Sequence, residues 1–86
     1  MNIEMKIDGI AVQQIMLPDA HDTDPHPRLM FNGYGIHTGE CFTAWLPDGW
    51  HDIRLEVSWD KTGAACWYID TEGLYNICPV GLFCKT

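Results

Sequence analysis

The stretch that most constrains the fold is residues 50–59, Trp-His-Asp-Ile-Arg-Leu-Glu-Val-Ser-Trp. From Ile53 onward every second residue is apolar and the residues between are polar or charged, which is the period of a half-buried β-strand. We therefore predict a strand here. The face predicted to enter the core carries Ile53, Leu55, Val57 and Trp59.

The neighbouring segments predict that this strand has partners on both sides. Cys41–Leu46 is rich in β-favouring residues, and Pro47-Asp48-Gly49 after it is a typical turn sequence. Residues 60–63 form a second turn, and residues 65–70 then favour a strand again. Together these segments predict an antiparallel sheet.

The N-terminal part predicts a further hairpin. Residues 3–7 alternate apolar and polar side chains, Asp8-Gly9 is a hairpin dipeptide, and residues 10–17 are rich in β-branched residues. Asn32-Gly33 predicts a further turn, and sustained helical spacing of apolar residues is absent from the sequence. We predict a single all-β domain over residues 1–86, small and antiparallel.

A polar loop follows this hairpin at residues 18–28. It holds side-chain types that bind metals, namely His21, Asp22, Asp24 and His26. Loops also collect Asp, His and Pro because these residues form turns. We predict a solvated acidic loop and no functional metal site.

Several short motifs in residues 35–83 occur in an order that resembles a family of unknown function. They are Gly35–Cys41, Asp48-Gly49-Trp50, Ile53-Arg54-Leu55-Glu56, Trp67-Tyr68-Ile69 and Gly81-Leu82. The family consists of small proteins carried on phages and other mobile elements of Gram-positive bacteria. The resemblance implies an SH3-like, partly open β-barrel without catalytic activity.

With this resemblance, the domain divides into an N-terminal hairpin (residues 1–17), the acidic loop (18–28) and the barrel (29–86). Two arrangements of the N-terminal residues stay open. Residues 1–30 either add strands to the barrel or form a separate surface.

The sequence contains no complete motif for catalysis. The glycine-rich segment 33–40 lacks the Lys-Ser or Lys-Thr pair of a phosphate-binding loop. His37 has no Ser or Cys nucleophile placed beside it, so we interpret it as a structural histidine. We therefore predict that the protein is not an enzyme and needs no cofactor.

The net charge of the protein indicates which kind of partner it binds. Twelve acidic residues against five basic ones give a net charge of −7, which disfavours binding to nucleic-acid phosphates. We predict a protein partner with a basic surface, and self-association is possible. The alternative is an accessory protein that binds oligonucleotides, a function that small β-barrels also perform.

The aromatic residues suggest where a partner binds, because a core of this size cannot hold every large ring. Trp50, next to Asp48 after a turn, is the predicted anchor, and Tyr68 is a further candidate. Asp22 and Asp24 would contribute an acidic rim. The alternative is that Trp50 caps one end of the barrel and contacts no partner.

The compartment is predicted from the termini and the thiols. Met1–Ile10 alternates apolar and charged residues, so we expect no secretory segment, and no apolar run is long enough to span a membrane. We predict a cytoplasmic protein whose four cysteines are reduced and buried. In an oxidising compartment three disulfide pairings would be possible.

Overall fold

The structure is a computed structural model that describes residues 5–18 and 28–86. Eight strands follow one another: β1 (Met5–Ile7), β2 (Ile10–Gln14), β3 (Met30–Phe31), β4 (Tyr34–Gly35), β5 (Cys41–Leu46), β6 (Gly49–Trp59), β7 (Ala65–Ile69) and β8 (Phe83–Lys85). The described residues contain no helix, and so none long and apolar enough to cross a membrane. The prediction of an all-β fold is confirmed.

Six of the strands form one sheet in the order β1-β2-β8-β5-β6-β7, while β3 and β4 form a separate hairpin. All neighbouring strands in the large sheet run antiparallel. Its outermost strands, β1 and β7, do not pair with each other. The described strands therefore form an open sheet and no closed barrel. Because β2 pairs with β8, the N-terminal hairpin adds two strands to this sheet.

The predicted turns lie where the sequence places them. Asp8 and Gly9 join β1 to β2 with φ values of 53° and 75°, and Asn32-Gly33 joins β3 to β4 with 50° and 85°. Positive φ at both turn residues is the type I′ geometry that matches the twist of a hairpin. Asn, Asp and Gly tolerate this conformation best, which explains why these two dipeptides predict the turns correctly.

The core lies between one face of the large sheet and the segments that cover it. Ile53, Leu55 and Ile69 from β6 and β7 are buried on the sheet side. On the covering side, the ring of Phe31 meets the ring of Phe42 with centroids 4.9 Å apart. The other buried residues of this cluster are Ile15, Leu29, Ile36, Ala44 and Cys84.

Burial decreases along β6 toward its C-terminal end. Ile53 and Leu55 are buried, Val57 is half-buried and Trp59 is 49% exposed. The prediction that Trp59 enters the core is wrong. Its register places it on the core face, but β5 pairs with β6 only as far as Arg54, so the end of β6 has a neighbouring strand only on the β7 side.

The cysteines are free thiols, and only Cys84 is buried. Burial raises the pKa of the Cys84 thiol to about 12, so this group stays protonated at neutral pH. Cys41, Cys66 and Cys78 are exposed, so the prediction of buried thiols is wrong for these three. Cys41 and Cys66 pair with Arg54 and Ser58, on the face of the sheet opposite the core.

Candidate functional site: two tryptophan surfaces

Two surfaces of the large sheet carry tryptophan side chains, and they lie on opposite faces. Residues paired across antiparallel strands share a face, so Trp45 and Trp50, which pair with each other, lie together. Trp59 follows the parity of Leu55 on β6 and therefore lies on the core face, nine residues beyond Trp50. We call the face of Trp50 the outer face.

Trp45 and Trp50 form a compact pair on the outer face, which we call the outer tryptophan pair. Their ring centroids are 5.0 Å apart with an interplanar angle of 65°, an edge-to-face arrangement. The ammonium group of Lys85 lies 4.8 Å from the centroid of the Trp50 ring. Both tryptophans are half-buried. The protein's own side chains thus already contact the ring predicted to anchor a partner.

Asp48 lies in the turn between β5 and β6, close to this pair along the chain. Its side chain is 75% exposed and accepts a hydrogen bond of 2.7 Å from Nε2 of His51. A hydrogen bond this exposed to solvent adds little to stability. Asp48 is therefore a solvent-facing acidic group that is tied to its own turn.

The other predicted binding residues are not gathered around Trp50. Tyr68 is half-buried on the outer face, where it pairs with Glu56. Glu56 is six residues from Trp50 on β6, which corresponds to roughly 20 Å along an extended strand. Asp22 and Asp24 lie outside the described residues.

A groove of about 370 Å³ opens near the C-terminal end of β6. Its lining residues are Arg28, Ile36, His37, Thr38, Val57, Trp59 and Trp67, and we call this surface the groove. Val57 and Trp67 pair across β6 and β7, so their side chains lie on the same face as Trp59. The opposite wall comes from the segment that follows β4 and from Arg28 before β3.

Among the described residues that line the groove, Arg28 carries the only formal charge, and it is positive. Arg28 Nη1 lies 3.3 Å from Nδ1 of His37, and both side chains are exposed. No carboxylate is among the described residues that line the groove. In a chain of net charge −7, this wall is a local exception that favours an acidic group.

A hydrogen-bonded cluster on the outer face holds one edge of the groove in place. Thr38 Oγ1 donates to Glu56 at 2.7 Å, and Arg54 donates from Nε to the same carboxylate at 2.9 Å. The Thr38 hydrogen bond and the nearby Arg54 charge lower the pKa of Glu56. This cluster therefore ties the segment after β4 to β6.

Trp67, one of the residues that line the groove, has a buried polar atom without a described partner. Nε1 of Trp67 is buried, and no acceptor among residues 5–18 and 28–86 reaches it. A buried donor without an acceptor costs about 1–3 kcal/mol. Trp67 therefore combines a large apolar ring with an unmet hydrogen-bond donor.

The groove is not apparent from the sequence, because the alternation of residues 50–59 indicates that Trp59 enters the core and His37 has no nucleophile beside it. A usable signal was present in the lengths of the two predicted strands. Residues 50–59 form a longer segment than residues 41–46, so an antiparallel pairing of the two leaves the end of the longer strand uncovered. No sequence pattern around Arg28 predicts that its side chain lines the groove.

Metal binding cannot be assigned to this part of the molecule. Within residues 5–18 and 28–86, no three His, Cys, Asp or Glu side chains form a group that could hold a metal ion. The loop with His21, Asp22, Asp24 and His26 lies outside the described residues.

The fold and the groove define a small all-β domain with an aromatic surface groove. The chain belongs to the family described as a domain of unknown function (DUF5348), whose model matches residues 25–78, more than half of the 86 residues. The prediction of a family of unknown function is confirmed. All seven groove residues lie inside the matched region, whereas β1, β2 and β8 lie outside it. Neither a curated protein nor a solved structure matches the chain.

Proposed function

We propose that the protein is a non-enzymatic binding module that holds an apolar side chain of a partner protein in the groove. The observation that carries this proposal is the position of Trp59. Its side chain is 49% exposed at the edge of a cavity that Trp67 and Val57 also line. Exposed tryptophans beside a cavity are typical of the residues that dominate binding energy at protein interfaces.

The charges support a partner with two features. The positive charge of Arg28 in the groove wall favours an Asp or Glu close to the inserted side chain. The net charge of −7 acts at longer range and attracts a partner whose surrounding surface is basic. We therefore propose an acidic residue at the centre of the contact and basic residues around it.

The outer tryptophan pair is the second candidate contact within the same function. Asp48 beside it is open to solvent, as a rim residue that steers a basic partner should be. Trp50, however, is half-buried between its own neighbours Trp45 and Lys85. We assign the pair a stabilising role and place the main contact at the groove.

The experiment is a comparative capture of partners with three immobilised proteins. The wild type and Trp59→Ala are compared with Tyr75→Ala, which removes another exposed ring, 57% exposed and outside the groove lining. We expect a protein that binds the wild type and Tyr75→Ala and is lost with Trp59→Ala. Equal capture by all three would contradict the role of the groove.

A separate measurement addresses the oligonucleotide alternative. The wild type is titrated with a short single-stranded oligonucleotide at about 0.15 M salt, where weak surface electrostatics are screened. We expect no tight binding, because the chain has few basic residues. Tight binding that weakens steeply with added salt would replace the protein-binding proposal with an oligonucleotide accessory function.

We further propose that the sheet is a partly open variant of an SH3-like barrel. We also propose that the protein is a cytoplasmic accessory of a phage or another mobile element, which modulates a host protein or defence system. The resemblance of the motifs in residues 35–83 supports both proposals, and four free thiols agree with a reducing compartment. Lysates of Gram-positive bacteria are therefore the source for the capture experiment, and cell fractionation tests the location.

A further inference from the structure

The edge of β6 that faces β5 loses its strand partner partway along. Gly39 N–H donates to Leu55 O at 2.7 Å, and Leu55 N–H donates to Glu40 O at 2.9 Å. The ladder with β5 itself ends one residue earlier, where Cys41 pairs with Arg54. Beyond Leu55, no strand of the described part of the chain pairs with this edge.

The direction of the backbone groups beyond Leu55 follows from the alternation of an antiparallel ladder. Asp70 N–H donates to Arg54 O at 2.8 Å, so the backbone groups of Arg54 face β7. Successive residues face opposite neighbours, so Leu55 faces away from β7, and Val57 does the same. The N–H and C=O groups of Val57 therefore point out of the sheet on the side where β5 has ended.

These two groups of Val57 are open to a partner. In residues 5–18 and 28–86, no backbone or side-chain hydrogen bond satisfies them. The Val57 side chain lines the groove together with the paired Trp67. The same residue thus offers a free backbone donor and acceptor at the edge of the sheet and apolar surface in the groove.

We propose that the partner binds as an extended strand along this edge of β6 and pairs its backbone with Val57. The proposal rests on the binding function proposed above and specifies how the partner is held. The residue opposite Val57 shares its face, so its side chain enters the groove. Addition of a strand to an exposed sheet edge obtains affinity from backbone hydrogen bonds and specificity from pockets for alternate side chains.

The charge of the groove lining indicates which residues the partner's extended strand carries. Arg28 and His37 line the groove without an opposing carboxylate among its described lining residues. The occupant is therefore an extended segment with an aliphatic or aromatic residue for the groove and an Asp or Glu next to it. A second copy of this chain is a poorer occupant, because two molecules of net charge −7 repel each other.

The test begins with a library of short randomised peptides selected on the immobilised full chain. We expect the enriched peptides to place an apolar residue beside Asp or Glu and to lose binding to Trp59→Ala. The best peptide is then N-methylated at each backbone amide in turn. Methylation of the amide that pairs with Val57 should weaken binding about tenfold, whereas methylation of its neighbours should have little effect.

The protein side is tested with matched variants at Val57. Val57→Pro removes an N–H that points away from β7, so the ladder between β6 and β7 keeps its hydrogen bonds. Val57→Thr keeps both the N–H and the β-branched shape. We expect Val57→Pro to weaken peptide binding about tenfold or more and Val57→Thr to keep it within a few-fold.

Hydrogen exchange provides a measurement that needs no variant. We expect exchange of the Val57 amide in the wild type to slow when the selected peptide binds, because the added strand covers it. This readout decides the question even if Val57→Pro fails to fold.

The outcomes separate this inference from the function on which it rests. A peptide that needs Trp59, tolerates N-methylation everywhere and leaves Val57 exchange unchanged would overturn the strand pairing and keep the groove as the binding site. A library without any Trp59-dependent peptide would overturn both. Protection of Val57 that depends on protein concentration without peptide would assign the edge to a second copy.

Discussion

The outer tryptophan pair and the groove each contain two tryptophans, but the two surfaces differ in how far their rings are packed against other side chains or exposed to solvent. Trp50 packs edge-to-face on Trp45 and under the ammonium of Lys85, so the contacts it makes are internal. Trp59 is 49% exposed beside a cavity of about 370 Å³. The rings of the outer tryptophan pair are packed against each other and Lys85. The groove instead exposes apolar surface and a sheet edge to which a partner can bind.

The cause of this difference is the length of the neighbouring strand. Trp50 lies where β6 is flanked by β5, and its cross-strand neighbour Trp45 supplies the edge-to-face contact. Trp59 lies beyond the end of β5, where only β7 continues beside it. In this sheet, the tryptophan available for binding is therefore the one that lies where the neighbouring strand has stopped.

Replacement of Trp59 should give the largest effect on binding. We expect Trp59→Ala to weaken the affinity for the captured partner by about 2 kcal/mol or more, roughly 30-fold, because the ring supplies the exposed apolar area of the groove. The free energy of unfolding should fall by about 1 kcal/mol, less than for Trp50→Ala, since about half of the side chain is already in water. Calorimetric titration and urea unfolding measure the two quantities.

The control for this prediction is Tyr75→Ala, which should leave both quantities nearly unchanged. A loss of stability without a loss of affinity in Trp59→Ala would contradict the distinction between the two surfaces.

Replacement of Trp50 should reverse the pattern. We expect Trp50→Ala to lower the free energy of unfolding by about 2 kcal/mol, because it removes the edge-to-face contact and the cation–π contact together. The affinity for the partner should stay within about twofold. Trp50→Phe keeps an aromatic ring and should lose less stability.

If Trp50→Ala instead weakened partner binding about 30-fold at unchanged stability, Trp50 would be the anchor. The acidic rim with Asp48 would then be the binding surface, as the sequence alone suggests.

The contribution of Lys85 should be smaller. We expect Lys85→Gln to lower the free energy of unfolding by about 0.5–1 kcal/mol, since the ammonium lies 4.8 Å from the Trp50 ring centroid. Lys61→Gln is the matched control, because it removes the same charge from the turn after β6. Equal losses in the two variants would show that Lys85 acts only through net charge.

Acid should have the smallest effect, and it concerns the edge of the groove. The pKa of Glu56 is lowered in the folded state by the Thr38 hydrogen bond and by Arg54. A lowered pKa stabilises the fold above the ordinary value of 4.5, and this stability is lost as pH falls through the folded pKa. Thr38→Val should move the Glu56 pKa back toward 4.5 in an NMR titration. An unchanged pKa in this variant would contradict the role of Thr38.

The sequence predicts the local elements of this fold well and their ends poorly. Alternation in residues 50–59 and the turn dipeptides Asp8-Gly9 and Asn32-Gly33 depend on near neighbours in the chain, so they can be recognised from the sequence. The exposure of Trp59 depends on where β5 stops, which is a property of the assembled sheet. Periodicity gives the face of Trp59 correctly and cannot give its burial.

The candidate site was harder to predict for the same reason. Trp50 and Asp48 are close together in sequence, so a binding surface around them can be predicted from the sequence alone. The groove joins Arg28, His37 and Trp59, which come from three separate segments. Their proximity follows from the packing of the β3–β4 hairpin against the large sheet through Phe31 and Phe42, for which the sequence offers no local pattern.

NMR of the four indole N–H groups, during titration with the captured partner or a selected peptide, shows which of the two surfaces binds. The four tryptophans divide evenly between the outer tryptophan pair and the groove, so every signal reports on one surface. We predict that the signals of Trp59 and Trp67 shift and that those of Trp45 and Trp50 stay in place. Shifts confined to Trp45 and Trp50 would instead place the partner on the outer tryptophan pair.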